Sequence, residues 1–227
     1  ITEQELQEFL KRKREILLAH RNKRIRPLLD DKIILGWNGL MNIALADVYE
    51  ATGNEEYMQM AITNMQFLLS RFSGNDGQEF YHTWKNNVAK YPAFLDDYAF
   101  LIQALIRLSE ITADTKWLVK AKDISEYVIE NFSEPQSGFF YFTSEKQNDV
   151  IIRKKEIYDG AVASGNSVMA CNLHRLSVFF NLPVWKEKAF KMISSLGDTI
   201  IKYPTSFGVW NNLMLELSSG THEIAIT

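Results

Sequence analysis

Two stretches of the chain, WNGLMNIALADVYEATGNEEYMQMAITNMQFLLSRF (residues 37–72) and DYAFLIQALIRLSEITADTKWLVKAKDISEYVIENF (residues 97–132), follow the same plan. They align at an offset of 60 residues (97 − 37), which pairs Phe72 with Phe132, and residues 165–196 follow at a further offset of 68 (165 − 97). Each stretch has the apolar spacing of two helices joined by a short turn. A helical hairpin cannot bury its apolar faces alone, so we expect these repeats to stack into a solenoid or a closed ring.

The two helices of each repeat differ in how their apolar residues are distributed. The first helix is apolar on nearly every side, whereas the second carries a narrower apolar stripe among lysines and glutamates. Helices that are apolar all round are usually buried, so we expect the first helices to form an inner layer and the second helices an outer one. In the first repeat this predicts burial of Leu40, Met41, Ile43, Ala44, Leu45, Val48 and Tyr49.

The links between repeats are long, at residues 73–94 and 133–163, whereas the turn inside each repeat is short. Long links in a compact domain are usually functional, and helix N-termini add backbone donors and partial positive charge. Both long links leave at the end where the inner helices begin, so we expect a functional site there. The apolar runs within the links predict two small β-hairpins, one pairing residues 80–84 with 88–91 and one pairing 139–143 with 150–155.

The ends of the chain suggest a part of a longer protein. A fourth repeat begins near residue 204 but its second helix is not reached, and residues 223–226 have the pattern of a short strand. The chain also begins at Ile1 rather than at a methionine. We therefore expect residues 1–227 to form one partial α/α domain.

Composition excludes several kinds of partner. With 46% hydrophobic residues the chain has ample apolar area for a core, and a net charge of −3 predicts no nucleic-acid partner. The basic residues 11–14 stand among glutamates and indicate a solvated helix face. A single cysteine, Cys171, suits a reducing compartment, and neither a signal peptide nor a long apolar run is present. We expect a cytoplasmic protein with no membrane partner.

Polar and aromatic residues gather at the aligned starts of the inner helices. These starts are Trp37-Asn38, Asp96-Asp97-Tyr98 and Ser164-Gly165-Asn166. Helix capping alone explains Asp96 and Ser164 as well as a binding role does, but it explains Trp37 and Tyr98 less well. Aromatic rings beside carboxylates and amides around a concave mouth suit a polyhydroxylated ligand such as a sugar.

Other polar residues flank those starts, and each has a structural alternative. Arg153 and Lys155 fall on one face of a predicted strand, where a surface ion pair with Glu156 is as good an explanation as ligand binding. His82, as a lone histidine in the first long link, has a structural explanation too. His174 and Cys171 are interpreted as buried core residues.

Five motifs, taken together, resemble a family of proteins that carry an N-terminal thioredoxin-like domain and an (α/α)6 toroid, the family of the spermatogenesis-associated thioredoxin-like proteins. The motifs are DDKIILGWNGL (residues 30–40), LDDYA (95–99), RKK (153–155), DGA (159–161) and SGNS (164–167). The chain departs from the pattern at Gly36, where a serine is expected, and at Ala163, where a proline is expected. The resemblance implies an all-α, partial (α/α)6 barrel similar to six-hairpin glycosidases and sugar epimerases, with a thioredoxin-like domain as a partner upstream.

Two functions follow as hypotheses. In the first, the toroid is glycosidase-like: Asp97 is the acid or base and Asp31 or Asp159 its partner, because neighbouring inner helices pack about 8–10 Å apart and inverting glycosidases separate their carboxyls by about 6.5–9.5 Å. In the second, the toroid is a non-catalytic scaffold that serves the thioredoxin-like domain. An epimerase with paired histidines is a weaker alternative, because His82 has no second histidine beside it. No cofactor or metal motif is found; the expected ligand-binding residues are Trp37, Asn38, His82, Asp96, Tyr98, Arg153, Lys155, Ser164 and Asn166.

Overall fold

The computed structural model describes residues 1–74 and 76–220, which form two compact units that divide between Asp31 and Lys32. The first unit contains helix α1 (Glu3–Arg21), whose residues are all exposed. Its first turn is held by a capping box, in which the Thr2 hydroxyl accepts from the Glu5 amide and the Glu5 carboxylate accepts from the Thr2 amide. The assignment of residues 1–227 to one domain stays a prediction.

The second unit consists of helical hairpins and one small sheet. The hairpins α2–α3, α4–α5 and α6–α7 correspond to the three predicted repeats, and α2 and α4 both span 18 residues. In chain order the elements are β1 (Ile33–Ile34), α2 (Leu35–Thr52), α3 (Glu55–Arg71), β2 (Tyr81–Lys85), β3 (Val88–Pro92), α4 (Leu95–Thr112), α5 (Lys116–Phe132), α6 (Gly165–Phe179), α7 (Pro183–Ser194), α8 (Gly197–Lys202), a 3-10 turn (Pro204–Ser206) and α9 (Gly208–Ser219).

The inner layer is formed by α2, α4, α6 and α9, and α4 lies at its centre between α2 and α6. Helices α4 and α6 bury most of their residues, as predicted. For α2 the predicted burial is wrong, because none of its seven predicted core residues is fully buried and Met41 is 58% exposed. Instead α2 packs on α4 through a small-residue face at Gly39, where an added Cβ would lie 3.1 Å from the backbone of Phe100. The buried residues of α2 are thus mostly small, and its larger apolar side chains after Leu35 stay partly or fully exposed.

The first predicted β-hairpin is confirmed. Strands β2 and β3 pair antiparallel, and β1 adds to the other edge of β2 with Ile33 opposite Trp84. The chain reverses at Asn86 and Asn87, which both have positive φ (51° and 61°), the geometry of a tight hairpin turn. This hairpin brings β2 to the start of α4.

The second predicted hairpin is wrong. Residues 139–143 and 150–155 form no strand pair, and a single backbone bond joins Phe142 N to Lys154 O at 2.7 Å. Side chains take the place of the ladder, because the Asn166 amide bonds both backbone groups of Phe140. Local competition of this kind by side-chain amides is a common reason why strand-like sequences form irregular loops.

The fourth repeat contributes α9, which packs against α6. The predicted strand at residues 223–226 lies outside the described residues. Among the helices of residues 1–74 and 76–220, none combines the length and the apolar character that crossing a membrane requires.

His174 lies in this inner layer and is 1% exposed, which confirms its interpretation as a buried residue. Within the described part of the chain its two ring nitrogens have no hydrogen-bond partner, and Nε2 lies 3.6 Å from the Glu216 carboxylate. Burial lowers the pKa of His174 below its usual value. Burial also raises the pKa of the nearby Cys171 thiol to about 12, so this cysteine is unreactive at neutral pH.

Replacing His174 by leucine should flatten the pH dependence of stability. The unfolded chain protonates His174 near pH 6.5 and the folded chain protonates it only at lower pH, so the free energy of unfolding of the wild type should fall as the pH drops below about 6.5. His174→Leu and His174→Gln both remove this titration. Urea unfolding at pH 7 and pH 5 should show that both variants lose less stability between these pH values than the wild type does. Equal losses in the wild type and both variants would contradict the burial argument.

Candidate functional site

Two consecutive aspartates at the start of α4 bond the first turns of both neighbouring inner helices. Asp97 Oδ1 accepts from the Gly36 amide of α2, and Asp96 Oδ1 accepts from the Gly165 amide of α6, each at 2.9 Å. The first amides of a helix have no partner within their own helix, and a carboxylate there also interacts favourably with the helix dipole. We call these two bonds the aspartate clamp.

The clamp requires glycine at both donor positions. A Cβ at Gly165 would lie 2.4 Å from Asp96 Oδ1, and a Cβ at Gly36 would lie 2.9 Å from Asp97 Oδ1. Both distances are shorter than a van der Waals contact. The helices therefore approach α4 this closely only because these side chains are absent.

Asp97 is enclosed by protein. Its carboxylate is bonded by the Gly36 amide on Oδ1, and by the Phe94 amide (3.0 Å) and His82 Nδ1 (2.7 Å) on Oδ2, and the residue is 3% exposed. Both carboxylate oxygens therefore have partners within the protein. The structure therefore favours an orienting role for Asp97 over direct contact with a ligand.

His82 joins this cluster from strand β2. The bond to Asp97 raises the pKa of His82 above its usual value, against smaller opposing effects of burial and of the Lys32 charge. The ring lies against Phe94, with a centroid separation of 4.9 Å, and its side chain is 28% exposed. Because Nδ1 is held by Asp97, Nε2 is the ring nitrogen left for a ligand.

Asp96 is half-buried, and its surroundings shift its pKa. Desolvation and repulsion from Glu156 and Asp97 raise the pKa of Asp96 to about 6, against the opposing effect of the Gly165 amide. Asp96 accepts one hydrogen bond where Asp97 accepts three, so its charged form is less well stabilised. Asp96 is consequently a group that changes protonation near neutral pH, and it lies next to Asp97, which raises the pKa of His82.

The prediction that Tyr98 stacks on a ligand is wrong. Tyr98 is 2% exposed, its hydroxyl accepts from the Phe80 amide at 3.0 Å, and its ring packs against Tyr127 and Phe132. The side chain points between the two helical layers rather than toward the helix start. Tyr98 therefore belongs to the core.

Asn166 and Ser164 support the fold at the start of α6. Asn166 is fully buried, and its amide bonds the backbone of Phe140 and the Glu156 carbonyl. The Ser164 hydroxyl accepts from the Ser167 amide at 3.1 Å, which confirms the capping interpretation of Ser164. Neither side chain offers a free polar group to a ligand.

Asp159 joins the third inner helix to the fourth. It accepts from the Ser164 amide (3.0 Å) and the Ser167 hydroxyl (2.6 Å) on one oxygen, and from the Val209 amide (2.8 Å) on the other. Both carboxylate oxygens are therefore used. This geometry favours a structural role over the predicted acid or base role.

Arg153 and Lys155 hold the second long loop. The Arg153 guanidinium donates to the carbonyls of Thr143 and Asn131 and stacks over Tyr141 at 4.2 Å. Lys155 forms an ion pair at 3.3 Å, with Glu134 rather than with the expected Glu156. Their contacts are internal to the protein.

Trp37, Asn38 and Asp31 complete the predicted set. Trp37 is 68% exposed at the start of α2 and presents a large aromatic surface, whereas the Asn38 amide nitrogen donates to the Ile34 carbonyl at 2.9 Å. Asp31 is the last residue of the first unit, so its pairing with Asp97 stays a prediction. Across residues 1–74 and 76–220, no three His, Cys, Asp or Glu side chains gather as metal ligands do.

Curated relatives resemble the chain over most of its length. Spermatogenesis-associated protein 20 of Mus musculus is 30% identical over 202 residues, which are 85% of this chain and 25% of the relative. An uncharacterized protein of Caenorhabditis elegans is 32% identical over 208 residues, 88% of this chain and 28% of the relative. The chain thus spans about a quarter of the length of the curated relatives it matches. No family model matches it.

Solved structures share its helical arrangement. Cellobiose 2-epimerase of Bacillus thermoamylovorans superposes with a TM-score of 0.63 at 11% identity, over 74% of this chain and 45% of the epimerase. An inactive variant of an α-1,6-mannanase of Salegentibacter sp., with two consecutive aspartates changed to asparagine and α-1,6-mannotriose bound, superposes with a TM-score of 0.59 at 16% identity, over 72% of this chain and 47% of the mannanase. The chain has the α/α-toroid fold of these sugar-active enzymes.

Replacing Gly165 by alanine should destabilise the protein and break one half of the clamp. The added methyl overlaps Asp96 and the Leu95 side chain, and overpacking of this kind costs about 1–3 kcal/mol. Gly197→Ala is the matched control, since nothing lies within 4 Å of its Cβ position. Urea unfolding should show the loss for Gly165→Ala and little change for Gly197→Ala; equal stability of the two variants would contradict the close approach.

Proposed function

We propose that this chain binds a carbohydrate at the N-terminal ends of its inner helices and acts on it in a glycosidase-like manner. The observation that carries the proposal is the pair Asp96 and Asp97 at the first turn of the central inner helix. The same toroid occurs in mannanases whose inactive variants have two consecutive aspartates replaced, by asparagine in one and by alanine in another. We take Asp96 and Asp97 as the corresponding pair.

The electrostatics of this pair suit glycoside chemistry. Hydrolysis of a glycosidic bond generally needs one group that donates a proton and one that is ionised. Asp97 is enclosed and accepts three hydrogen bonds, whereas Asp96 accepts one and burial raises its pKa to about 6. Consecutive side chains on a helix point in different directions, so each aspartate has its own environment and its own protonation state.

Trp37 supplies the apolar part of the proposed site. Its ring is 68% exposed, and it follows Gly36, whose amide is bonded by Asp97. An exposed aromatic ring, next in the chain to the glycine that Asp97 binds, offers a flat surface on which the apolar face of a sugar ring can stack. We propose that Trp37 binds the ligand and that Asn38 contributes its amide oxygen.

A second function, a non-catalytic scaffold that serves a thioredoxin-like domain, is favoured by one observation. Asp97 is 3% exposed and all its contacts are internal, as are those of Asp159. Carboxylates in such positions can serve the fold alone. In this alternative the cluster holds the helix starts together and carries out no chemistry.

Sugar binding and turnover test the proposal against the scaffold. The probes are α-1,6-mannotriose and α-1,6-mannotetrose. Calorimetry measures their binding, and the release of reducing ends measures their turnover. Asp96→Asn should lower turnover by roughly 10²-fold or more, the usual contribution of a proton-transferring side chain. Asp149→Asn, at an exposed loop position, is the matched control and should retain turnover.

The outcomes separate the two functions. Thermal unfolding of Asp97→Asn shows whether a loss of activity in that variant results from unfolding. If Asp97→Asn is unfolded, the test depends on Asp96→Asn. Binding without turnover would favour the scaffold. Absence of binding of both oligosaccharides at millimolar concentration, or unchanged turnover in Asp96→Asn, would contradict the proposal.

A further inference from the structure

The strongest unassigned feature is the pair formed by His82 and Asp97, which we call the His–Asp dyad. His82 Nδ1 lies 2.7 Å from Asp97 Oδ2, although 15 residues separate them in the chain. A buried carboxylate that holds one ring nitrogen of a histidine fixes the tautomer and the orientation of the ring. The inference drawn from this pair rests on the proposed sugar site.

The dyad leaves one nitrogen for chemistry. Asp97 already has contacts from the Gly36 amide, the Phe94 amide and His82, so its oxygens are occupied. Nε2 is the ring nitrogen of His82 that Asp97 does not hold, and the side chain is 28% exposed. A proton that passes between this cluster and a ligand therefore passes through Nε2 rather than through the Asp97 carboxylate.

The surroundings of His82 are rigid. The residue lies in the central strand of the three-stranded sheet, and its flanking residues Tyr81 and Thr83 are both paired with β3. One face of the ring rests on Phe94, which in turn stacks on Phe142 at 4.8 Å. Groups on paired strands hold a catalytic geometry more closely than groups on free loops.

We propose that His82 is the catalytic acid of this site, that Asp97 is its positioning residue, and that Asp96 is the base. Asp96 suits the complementary role because Oδ1 is held by the Gly165 amide and the residue is half-buried rather than enclosed. His82 contacts Asp97 from strand β2, and Asp96 is the residue that precedes Asp97 at the start of α4.

The protonation states decide which group donates. The pKa of Asp96 is about 6, set by burial and by the charges of Glu156 and Asp97. The pKa of His82 is raised above its usual value by Asp97, despite the opposing charge of Lys32. The bond to Asp97 therefore favours the protonated form of His82, which suits the role of the acid.

The step balances in protons and electrons. The glycosidic carbon–oxygen bond breaks, its electron pair stays with the departing oxygen, and that oxygen takes the proton from His82 Nε2. A water molecule adds its hydroxyl group to the anomeric carbon and gives its proton to Asp96. His82 ends neutral and Asp96 ends protonated, and exchange with solvent restores both.

Nitrogen NMR of the whole 15N-labelled chain tests the dyad without reference to activity. Long-range 1H–15N spectra across pH should show His82 with its neutral-form proton on Nδ1 and with a pKa above 6.5. Asp97→Asn should lower the pKa of His82, whereas Asp149→Asn should leave it unchanged. A neutral form protonated on Nε2, or a His82 pKa that Asp97→Asn does not lower, would overturn the assignment of Asp97 as a positioning residue.

Turnover of α-1,6-mannotetrose tests the role of His82. His82→Gln should lower kcat by roughly 10²-fold or more with little change in KM, and should remove the alkaline limb of the pH profile, because a general acid contributes mainly to the chemical step. If the wild type binds the sugar and His82→Gln turns it over at the wild-type rate, the inference fails and the sugar proposal stands. If the wild type binds no sugar, the sugar proposal fails, and with it the catalytic role of His82.

Discussion

The aspartate clamp is the interaction on which the rest of the structure depends. Through Asp96 and Asp97 the central inner helix bonds one backbone amide at the start of each neighbour, Gly165 and Gly36. Hydrogen bonds to a charged group contribute about 1.5–3 kcal/mol each, and these two also fix the relative heights of three inner helices. These bonds therefore keep the N-termini of α2, α4 and α6 next to one another at the same end of the inner layer. The carboxylates that secure the fold are the same groups that the proposed chemistry needs.

Consecutive residues obtain different properties because their hydrogen bonds differ. Asp97 faces α2, is buried and accepts three hydrogen bonds. Asp96 faces α6 and accepts one, so desolvation dominates and its pKa rises to about 6. A local difference in the number of donors thus leaves one carboxylate enclosed by hydrogen bonds and makes the other a group that titrates near neutral pH. His82 adds a third group, whose orientation depends on Asp97.

The sequence predicted the helical hairpins well because apolar periodicity is a local property of the chain. It also predicted the turn at Asn86-Asn87, since two asparagines between strand-like runs indicate a tight hairpin. It failed where distant side chains decide the outcome. In the second loop, the side-chain amide of Asn166 binds the backbone of Phe140, 26 residues away, in place of strand pairing. At the start of α4, the Tyr98 hydroxyl accepts a hydrogen bond from the buried Phe80 amide, so the side chain lies in the core. The His–Asp dyad escaped prediction for the same reason, because its two members are 15 residues apart and belong to different elements.

Scalar coupling across the clamp tests the central claim most directly. NMR of the 13C,15N-labelled chain can detect the coupling between an amide nitrogen and a carboxylate carbon that share a hydrogen bond. The account predicts cross-peaks joining the Gly36 nitrogen to the Asp97 side-chain carbon and the Gly165 nitrogen to the Asp96 side-chain carbon, with slow solvent exchange of both amide protons. Fast exchange of both glycine amides together with absence of both couplings would contradict it.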